Sequence, residues 1–182
     1  MPLTELAAGE RDDLALAVDL ANTWETLDPP SERLGNVDRL RRILVHHGRE
    51  SAAAAAIEED VRSVRGLRDA LRATFFLDDE ATAVAHLNTL LDGVPAPRLL
   101  RERDDWRFGW DERDPAFLTG TTTMALLGAI HRYGFGRFGV CVGAPCTGVY
   151  VDRSRNHSRR YCCWLCADRV TQAAARARRR RN

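Results

Sequence analysis

Five cysteines lie close together near the end of this 182-residue chain, and they are the side chains best suited to chemistry. They are Cys141, Cys146, Cys162, Cys163 and Cys166, whereas residues 1–140 contain no cysteine. The spacing forms two close pairs, Cys141-x4-Cys146 and Cys162-x3-Cys166, separated by fifteen residues. Such pairs are typical of a tetrahedral zinc site, because each pair supplies two thiolates from one turn. We therefore predict one structural Zn²⁺ held by Cys141, Cys146, Cys162 and Cys166.

Other interpretations of the same cysteines remain open at this point. The five thiols could simply pack in reduced form or be redox-active, and His157 could replace one cysteine as a ligand. Cys163 is then the spare thiol. A catalytic zinc usually keeps an open position and includes His or carboxylate ligands, whereas four thiolates close the coordination shell. The chain also has no Gly-rich phosphate loop, no Ser/His/Asp order and no metal-hydrolase motif, so we predict that it is not an enzyme.

The basic charge is concentrated at the same end of the chain as the cysteines. From Arg132 to the C-terminus there are 12 arginines and two acids, whereas residues 1–131 contain 15 arginines and 24 acids. The net charge of +1 therefore hides an acidic part and a strongly basic part, a pattern typical of a protein that binds a polyanion. The chain has no lysine, which fits the coding bias of a GC-rich bacterial genome, but that bias does not explain the clustering.

Arginines on both sides of the second cysteine pair are candidates for phosphate contacts. If residues 168–181 form a helix, three of these arginines lie near one face, and the intervening alanines leave the helix slim enough for a major groove. The predicted nucleic-acid-binding residues are Arg153, Arg155, Arg159, Arg160, Arg169, Arg176 and Arg180. Asp152 and Asn156 are expected to stabilise a turn instead, with Asp152 paired to Arg155 or Arg169.

Helical periodicity dominates the part of the chain that precedes the cysteines. It predicts helices over residues 14–24, 37–47, 51–76, 78–91 and 114–133. Trp106, Phe108 and Trp110 alternate onto one face of a short hairpin, and residues 147–152 alternate as a strand. We predict a mainly α fold: a helical domain with a small β-hairpin at 1–133, and a four-cysteine zinc finger at 134–182 packed against it.

The remaining features indicate an ordinary globular protein. The longest apolar run, residues 52–57, is far shorter than the roughly 20 residues of a membrane helix. The N-terminus lacks the order of a secretory signal, so we expect a cytoplasmic protein with no membrane partner. Trp24, Trp106 and Trp110 are expected in the core. The histidines outside the cysteine region are expected at the surface or at helix caps: His46, His47, His86 and His131.

Residues 141–169 resemble the CGNR-type zinc finger found at the C-terminus of many bacterial proteins. They contain an Asp-x-Ser-Arg-Asn core at 152–156 and an Arg-Arg-Tyr-Cys step at 159–162. The closing tetrapeptide is Cys-Ala-Asp-Arg at 166–169 instead of Cys-Gly-Asn-Arg, and Cys163 stands where Ser is commoner. Upstream, Leu-Ala-Val-Asp-Leu-Ala-Asn-Thr at 16–23 is similar to the Leu-Asp-Leu-x-Asn-Thr signature of the helical ABATE domain, which precedes this finger.

The resemblance implies a stress-induced transcriptional regulator, with DNA favoured over RNA as its ligand. The helical body would sense a signal or form a homodimer. Asp19, Asn22 and Thr23 of the signature are candidates for an effector pocket, although polar residues in an apolar helix can equally form a buried hydrogen-bond network that fixes the packing. The alternatives are a protein–protein adaptor that uses the basic finger and an RNA-binding protein.

Overall fold

The computed structural model describes residues 12–27, 31–102 and 105–180 and confirms the mainly α class. Within these ranges the body contains six helices and one hairpin, and the finger contains a second small hairpin and one helix. The helices are α1 (Asp13–Ala21), α2 (Val37–His46), α3 (Glu50–Ala55), α4 (Asp60–Ala73), α5 (Glu80–Leu90), α6 (Phe117–Tyr133) and α7 (Trp164–Arg179). The antiparallel strand pairs are β1 (Arg98–Glu102) with β2 (Asp105–Gly109), and β3 (Phe138–Val140) with β4 (Val149–Val151).

Helix α1 lies at the centre of the molecule. It begins at the N-cap Asp12, whose carboxylate accepts a hydrogen bond from the N–H of Ala15, and six of its nine residues are buried. Leu16 and Leu20 pack into one apolar cluster with α2, α3 and the first turns of α4 and α6, whereas Ala17 and Ala21 belong to a second cluster. The second cluster includes strand β4 of the finger, so one core continues from the body into the finger.

The single helix predicted over residues 51–76 is wrong, because the chain bends between α3 and α4. Ala56 has an extended backbone, with ψ of 134°. The bend is stabilised by the guanidinium of Arg41, which donates to the carbonyl of Ala56 at 2.8 Å. The carboxylate of Asp60 accepts a hydrogen bond from the N–H of Ile57 and starts α4. Helix propensity of the alanine run is therefore overridden by tertiary hydrogen bonds.

The tryptophans expected in the core divide between core and surface. Trp110 is buried, and its ring packs so closely on α6 that a Cβ at Gly120 would lie 2.6 Å from it. Trp106 is 56% exposed and Trp24 is 40% exposed, so the prediction was wrong for both. Gly109, with φ of +157°, ends β2 and separates Trp110 from the strand alternation that Trp106 and Phe108 follow.

Two buried arginines hold parts of the body together, which the sequence did not indicate. Arg49 is 1% exposed, forms ion pairs with Asp13 and Glu112, and lies over the ring of Phe117. Arg68 is 3% exposed and donates to both carboxylate oxygens of Glu32, at 2.7 and 2.8 Å. Burial of an arginine is tolerated when carboxylates are this close, since the paired charges compensate for lost hydration.

The body and the finger are joined by the side chain of Asn22, at the C-cap of α1. Its amide nitrogen donates to the carbonyl of Val149 at 2.9 Å, and its amide oxygen accepts from the N–H of Val149 at 2.7 Å. The amide thus occupies the place of a neighbouring strand beside β4. Arg72 donates to Thr147 nearby, and Arg153 pairs with the cap residue Asp12. These contacts support the prediction that the finger packs against the body.

None of the helices in the described ranges is long and apolar enough to cross a membrane.

Replacing Asn22 with Ala is expected to lower the free energy of unfolding by about 2–4 kcal/mol, because the N–H and C=O of the buried Val149 lose their partners. Urea denaturation of the zinc-saturated protein measures the effect. Asn88→Ala is the control, since Asn88 is exposed on α5 and its loss should change the free energy by about 0.5 kcal/mol or less. Equal effects of the two substitutions would contradict the role assigned to Asn22.

Candidate metal centre and basic surface

The sulfur atoms of Cys141, Cys146, Cys162 and Cys166 converge at one buried point, where all four lie within 4.8 Å of one another. The Sγ of Cys162 is 3.6 Å from that of Cys146 and 3.7 Å from that of Cys166. A tetrahedron with Zn–S bonds of about 2.3 Å has edges of about 3.8 Å, so these sulfur separations match tetrahedral zinc. The residues present therefore fit a closed, structural Zn²⁺ site.

Two backbone segments bring the first pair of cysteines into place. The N–H of Cys141 donates to the carbonyl of Gly148 at 2.7 Å, and the N–H of Cys146 donates to the carbonyl of Gly143 at 3.0 Å. The N–H of Gly148 then points at the Sγ of Cys146, 3.2 Å away. A Cβ at Gly148 would lie 2.8 Å from the Sγ of Cys162, so only glycine lets this loop approach the ligands.

The four thiols disfavour joint ionisation by themselves. Burial raises the pKa of Cys166 to about 12, with the nearby Cys146 adding to the rise, and burial with the neighbouring thiols raises the pKa of Cys162 further. Burial would also raise the pKa of Cys141, but the N–H groups of Cys162 and Gly143 donate to its sulfur and bring its pKa below the ordinary value. A divalent cation at the centre stabilises all four thiolates at once, because it supplies the positive charge that the four cysteines lack.

The two other candidate ligands lie outside the centre. The Nε2 of His157 is 2.8 Å from the carbonyl oxygen of Gly136. Cys163 is only partly buried, and although its Sγ is 3.9 Å from that of Cys162, it does not belong to the converging group. The second pair is positioned by α7, because Cys163 is the N-cap residue and Cys166 lies in the first turn.

Asp152 stabilises the loop between the cysteine pairs, as expected, but with different partners. Its carboxylate accepts hydrogen bonds from the N–H groups of Ser154, at 2.8 Å, and Arg159, at 2.9 Å, instead of pairing with Arg155 or Arg169. Burial alone would raise the pKa of Asp152, but these hydrogen bonds and the charge of Arg137 lower it. The Asp-x-Ser core of the motif therefore stabilises the conformation of this loop.

Three of the predicted nucleic-acid-binding arginines are engaged within the protein. Arg169 donates to the carbonyls of Gly143 and Ala144 and so fixes α7 to the first cysteine loop. Arg159 donates to the carbonyls of Tyr161 and Cys162, and its guanidinium lies 5.1 Å from the ring centroid of Tyr150. Arg153 forms the ion pair with Asp12. Their first role is to hold the finger together and to the body.

The other predicted arginines are exposed, and their side chains make no hydrogen bond or ion pair to any described residue. These four are Arg155, Arg160, Arg176 and Arg180. Arg178 and Arg179, which were not among the predicted residues, are exposed in the same way. Arg160 lies beside the first cysteine loop, because its carbonyl accepts a hydrogen bond from the N–H of Val142. Arg169 binds the same loop, so Arg160 and Arg169 both lie against the first cysteine loop.

The three polar residues of the α1 signature have buried protein partners. Asp19 and the fully buried His47, at the C-cap of α2, are 3.0 Å apart through Oδ2 and Nε2. The hydroxyl of Thr23 donates to the carbonyl of Leu20 at 2.7 Å, and Asn22 binds Val149. These contacts fit the packing-network alternative, while the effector pocket at these residues stays a prediction. His47 was expected at the surface or at a helix cap. It is the C-cap residue of α2, and it is fully buried.

A helical body joined to a closed four-thiolate finger defines a zinc-finger protein. Residues 14–132 match the model of the ABATE family, described as "Putative stress-induced transcription regulator", and residues 137–179 match the model of the CGNR zinc finger. The first match covers more than half of the chain, so the chain belongs to the ABATE family. No curated protein matches it. Together with the four buried sulfurs, the CGNR match confirms one structural Zn²⁺.

Substituting Cys166 with Ser is expected to remove most of the bound zinc, because a thiolate that closes the tetrahedron is lost. Cys163→Ser is the matched control: it should keep about one zinc per chain. Metal analysis of both purified variants, beside a count of reactive thiols, measures the difference. A Cys163→Ser protein without zinc, or a Cys166→Ser protein with full zinc, would contradict this ligand set.

Proposed function

We propose that the protein is a DNA-binding regulator whose zinc finger presents arginines to the phosphates of the double helix. The observation that carries this proposal is a set of exposed arginines around and beyond the second cysteine pair that pair with none of the described residues. Regulation is the role named for the ABATE family, and a closed thiolate shell leaves the zinc no open position for catalysis. The metal then acts by holding the basic surface in shape.

The finger has few acids to balance its arginines. From Arg132 onward the acids are Asp152 and Asp168. Asp152 is 1% exposed and accepts hydrogen bonds from backbone N–H groups, whereas Asp168 is exposed and keeps its negative charge at the surface, where it accepts a hydrogen bond from Gln172. The surface of the finger is therefore dominated by arginine, and charge of one sign concentrated on a small module attracts a polyanion.

Helix α7 supplies a suitable shape. Arg169 and Val170 contact the first cysteine loop, and beyond them the helix is almost entirely exposed as far as Arg180. Its alanines, at 173, 174, 175 and 177, keep this segment slim, while Arg176 and Arg180 continue the face that starts with Arg169. A slim helix with arginines along one face can enter a major groove or follow a phosphate backbone.

The body is proposed to sense a small apolar molecule. A cavity of about 400 Å³ lies between α2, α3, α4 and the start of α6. Most of its lining is apolar, as at Leu40, Leu44, Val64 and Phe117, but four charged residues also line it: Asp60, Glu112, Arg113 and Asp114. Cavities of about 300–1,000 Å³ with mainly apolar walls are typical of ligand sites. The signature cluster at Asp19, Asn22 and Thr23 is filled by its own hydrogen bonds, so this cavity is the more suitable place for an effector.

Binding to a random-sequence duplex, measured by fluorescence anisotropy between about 50 and 200 mM salt, tests the DNA proposal. The double variant Arg155→Ala/Arg160→Ala should bind more weakly, with the slope of log K against log salt smaller by about 0.9 for each lost phosphate contact. Arg42→Ala/Arg62→Ala is the matched control, because both side chains are exposed on the body and form no ion pair or hydrogen bond within the described part of the chain. Absent or salt-insensitive binding would contradict the proposal, and stronger binding to RNA would favour the RNA alternative.

Filling the body cavity tests the sensing role. Ala55 is exposed and lines the cavity, whereas its neighbour Ala54 is exposed and outside it. Ala55→Trp is expected to reduce the binding of the neutral apolar dye Nile red several-fold, and Ala54→Trp is expected to leave it unchanged, as measured by dye fluorescence. The same dye affinity in both variants would show that the cavity does not take apolar molecules.

A further inference from the structure

A second group of metal-binding side chains lies in the body, where α1 meets the end of α2. It consists of Asp19 on α1 and of two consecutive histidines, His46 and His47, which are the last residue and the C-cap of α2. One carboxylate oxygen of Asp19 and one ring nitrogen of each histidine all lie within 4.8 Å of one another. Asp19 and His47 are buried, and His46 is partly buried. We call these three residues the body cluster.

The separations within the body cluster fit a single metal ion. The Nε2 of His47 is 3.0 Å from the Oδ2 of Asp19. A tetrahedral zinc with bonds of about 2.0–2.1 Å keeps its nitrogen and oxygen ligands about 3.3 Å apart. The two imidazole rings are nearly perpendicular, with their centroids 5.0 Å apart. Two imidazoles on one tetrahedral ion also have centroids about 5 Å apart, so the three side chains need little movement to share an ion.

The hydrogen bond between Asp19 and His47 does not by itself account for the third member of the cluster. That bond needs only the carboxylate and the Nε2 of one ring. Consecutive residues of a helix point in directions about 100° apart, so a regular helix does not direct neighbouring rings to one point. His46 nevertheless brings a ring nitrogen to within 4.8 Å of both other ligand atoms. Such convergence of two imidazoles on a carboxylate is the arrangement of a metal site.

We propose that the body cluster binds a divalent transition-metal ion, such as Zn²⁺ or Co²⁺, through Asp19, His46 and His47. Imidazole nitrogens suit these ions, whereas Mg²⁺ and Ca²⁺ prefer sites made of oxygen ligands. Three protein ligands leave the fourth tetrahedral position to water, so this coordination shell is open, unlike that of the finger.

The environment of His47 makes the site weaker than the four-thiolate finger. Tight metal sites usually fix each imidazole by a hydrogen bond from its second nitrogen. The Nδ1 of His47 is buried and has no hydrogen-bond partner among the described residues. The ion is therefore held with a dissociation constant in the micromolar range and exchanges with solvent on the side of the partly exposed His46.

An ion in the body cluster joins α1 to the end of α2. Asp19 lies one turn before Asn22, whose amide binds the backbone of Val149 in the finger. The ion thus stabilises the helix that carries the contact between body and finger. Metal that binds here is expected to raise the temperature of thermal unfolding beyond that of the protein with zinc in the finger alone.

Cobalt titration of the full untagged chain, with zinc already bound in the finger, tests this proposal. One further equivalent of Co²⁺ is expected to bind, with weak visible absorption and without the strong sulfur-to-cobalt charge-transfer band of a thiolate site. His46→Ala should weaken this binding at least about tenfold, because a ligand is lost. His131→Ala is the matched control, since His131 is exposed on α6 and lies outside the cluster, and its cobalt affinity should equal that of the original protein.

Circular dichroism and the zinc content of the finger show whether each variant keeps its fold. If His46→Ala does not fold, His46→Gln replaces it, with the same expected loss of affinity. Original protein that binds no further cobalt, or binds it only with the charge-transfer band of the finger, would overturn the proposal without reference to any variant. Unchanged cobalt affinity in a folded His46 variant would overturn it as well. The titration contains neither nucleic acid nor dye, so its outcome is independent of the functions proposed above.

Discussion

Asp19 and Asn22, at the end of the largely buried helix α1, are shielded from solvent, so their polar groups need partners inside the protein, and these partners connect α1 to other parts of the molecule. Asp19 recruits His47 from the end of α2, and Asn22 recruits the backbone of Val149 from the finger. A buried polar group without a partner costs about 1–3 kcal/mol, comparable to a sizeable fraction of the stability of a small domain. Through Asn22 this signature links the body to the finger, and the two parts share one apolar cluster.

The zinc centre and the arginines depend on each other in a similar way. Gly143 and Ala144 lie between the first two ligands, and their carbonyls bind Arg169, three residues after the last ligand. Arg159 performs the same task for the residues that lead to Cys162. Part of the positive charge therefore holds the finger closed, and the rest is exposed. The number of arginines in the finger is for this reason larger than the number on its free surface.

Much of the architecture could be predicted from the sequence because its signals are local. Cysteine spacing predicted the metal centre, and helical periodicity predicted most of the helices. The errors arose where distant contacts decide the outcome. The bend at Ala56 depends on Arg41, the burial of His47 depends on Asp19, and the roles of Arg159 and Arg169 depend on carbonyls that no sequence pattern marks. Alternation correctly paired Trp106 with Phe108 but could not show which side of the hairpin the body would cover.

The attachment of α7 has a consequence for the thermodynamics of any encounter with a polyanion. Its first two turns are fixed by Cys166 at the metal and by Arg169 at the neighbouring loop, whereas residues 171–180 are almost entirely exposed. Zinc therefore sets the direction in which Arg176 and Arg180 point. Orienting a flexible basic tail would cost entropy at the moment of association. In this protein the helix is ordered when zinc binds, before any such encounter. The ion thus orients arginines that it does not contact.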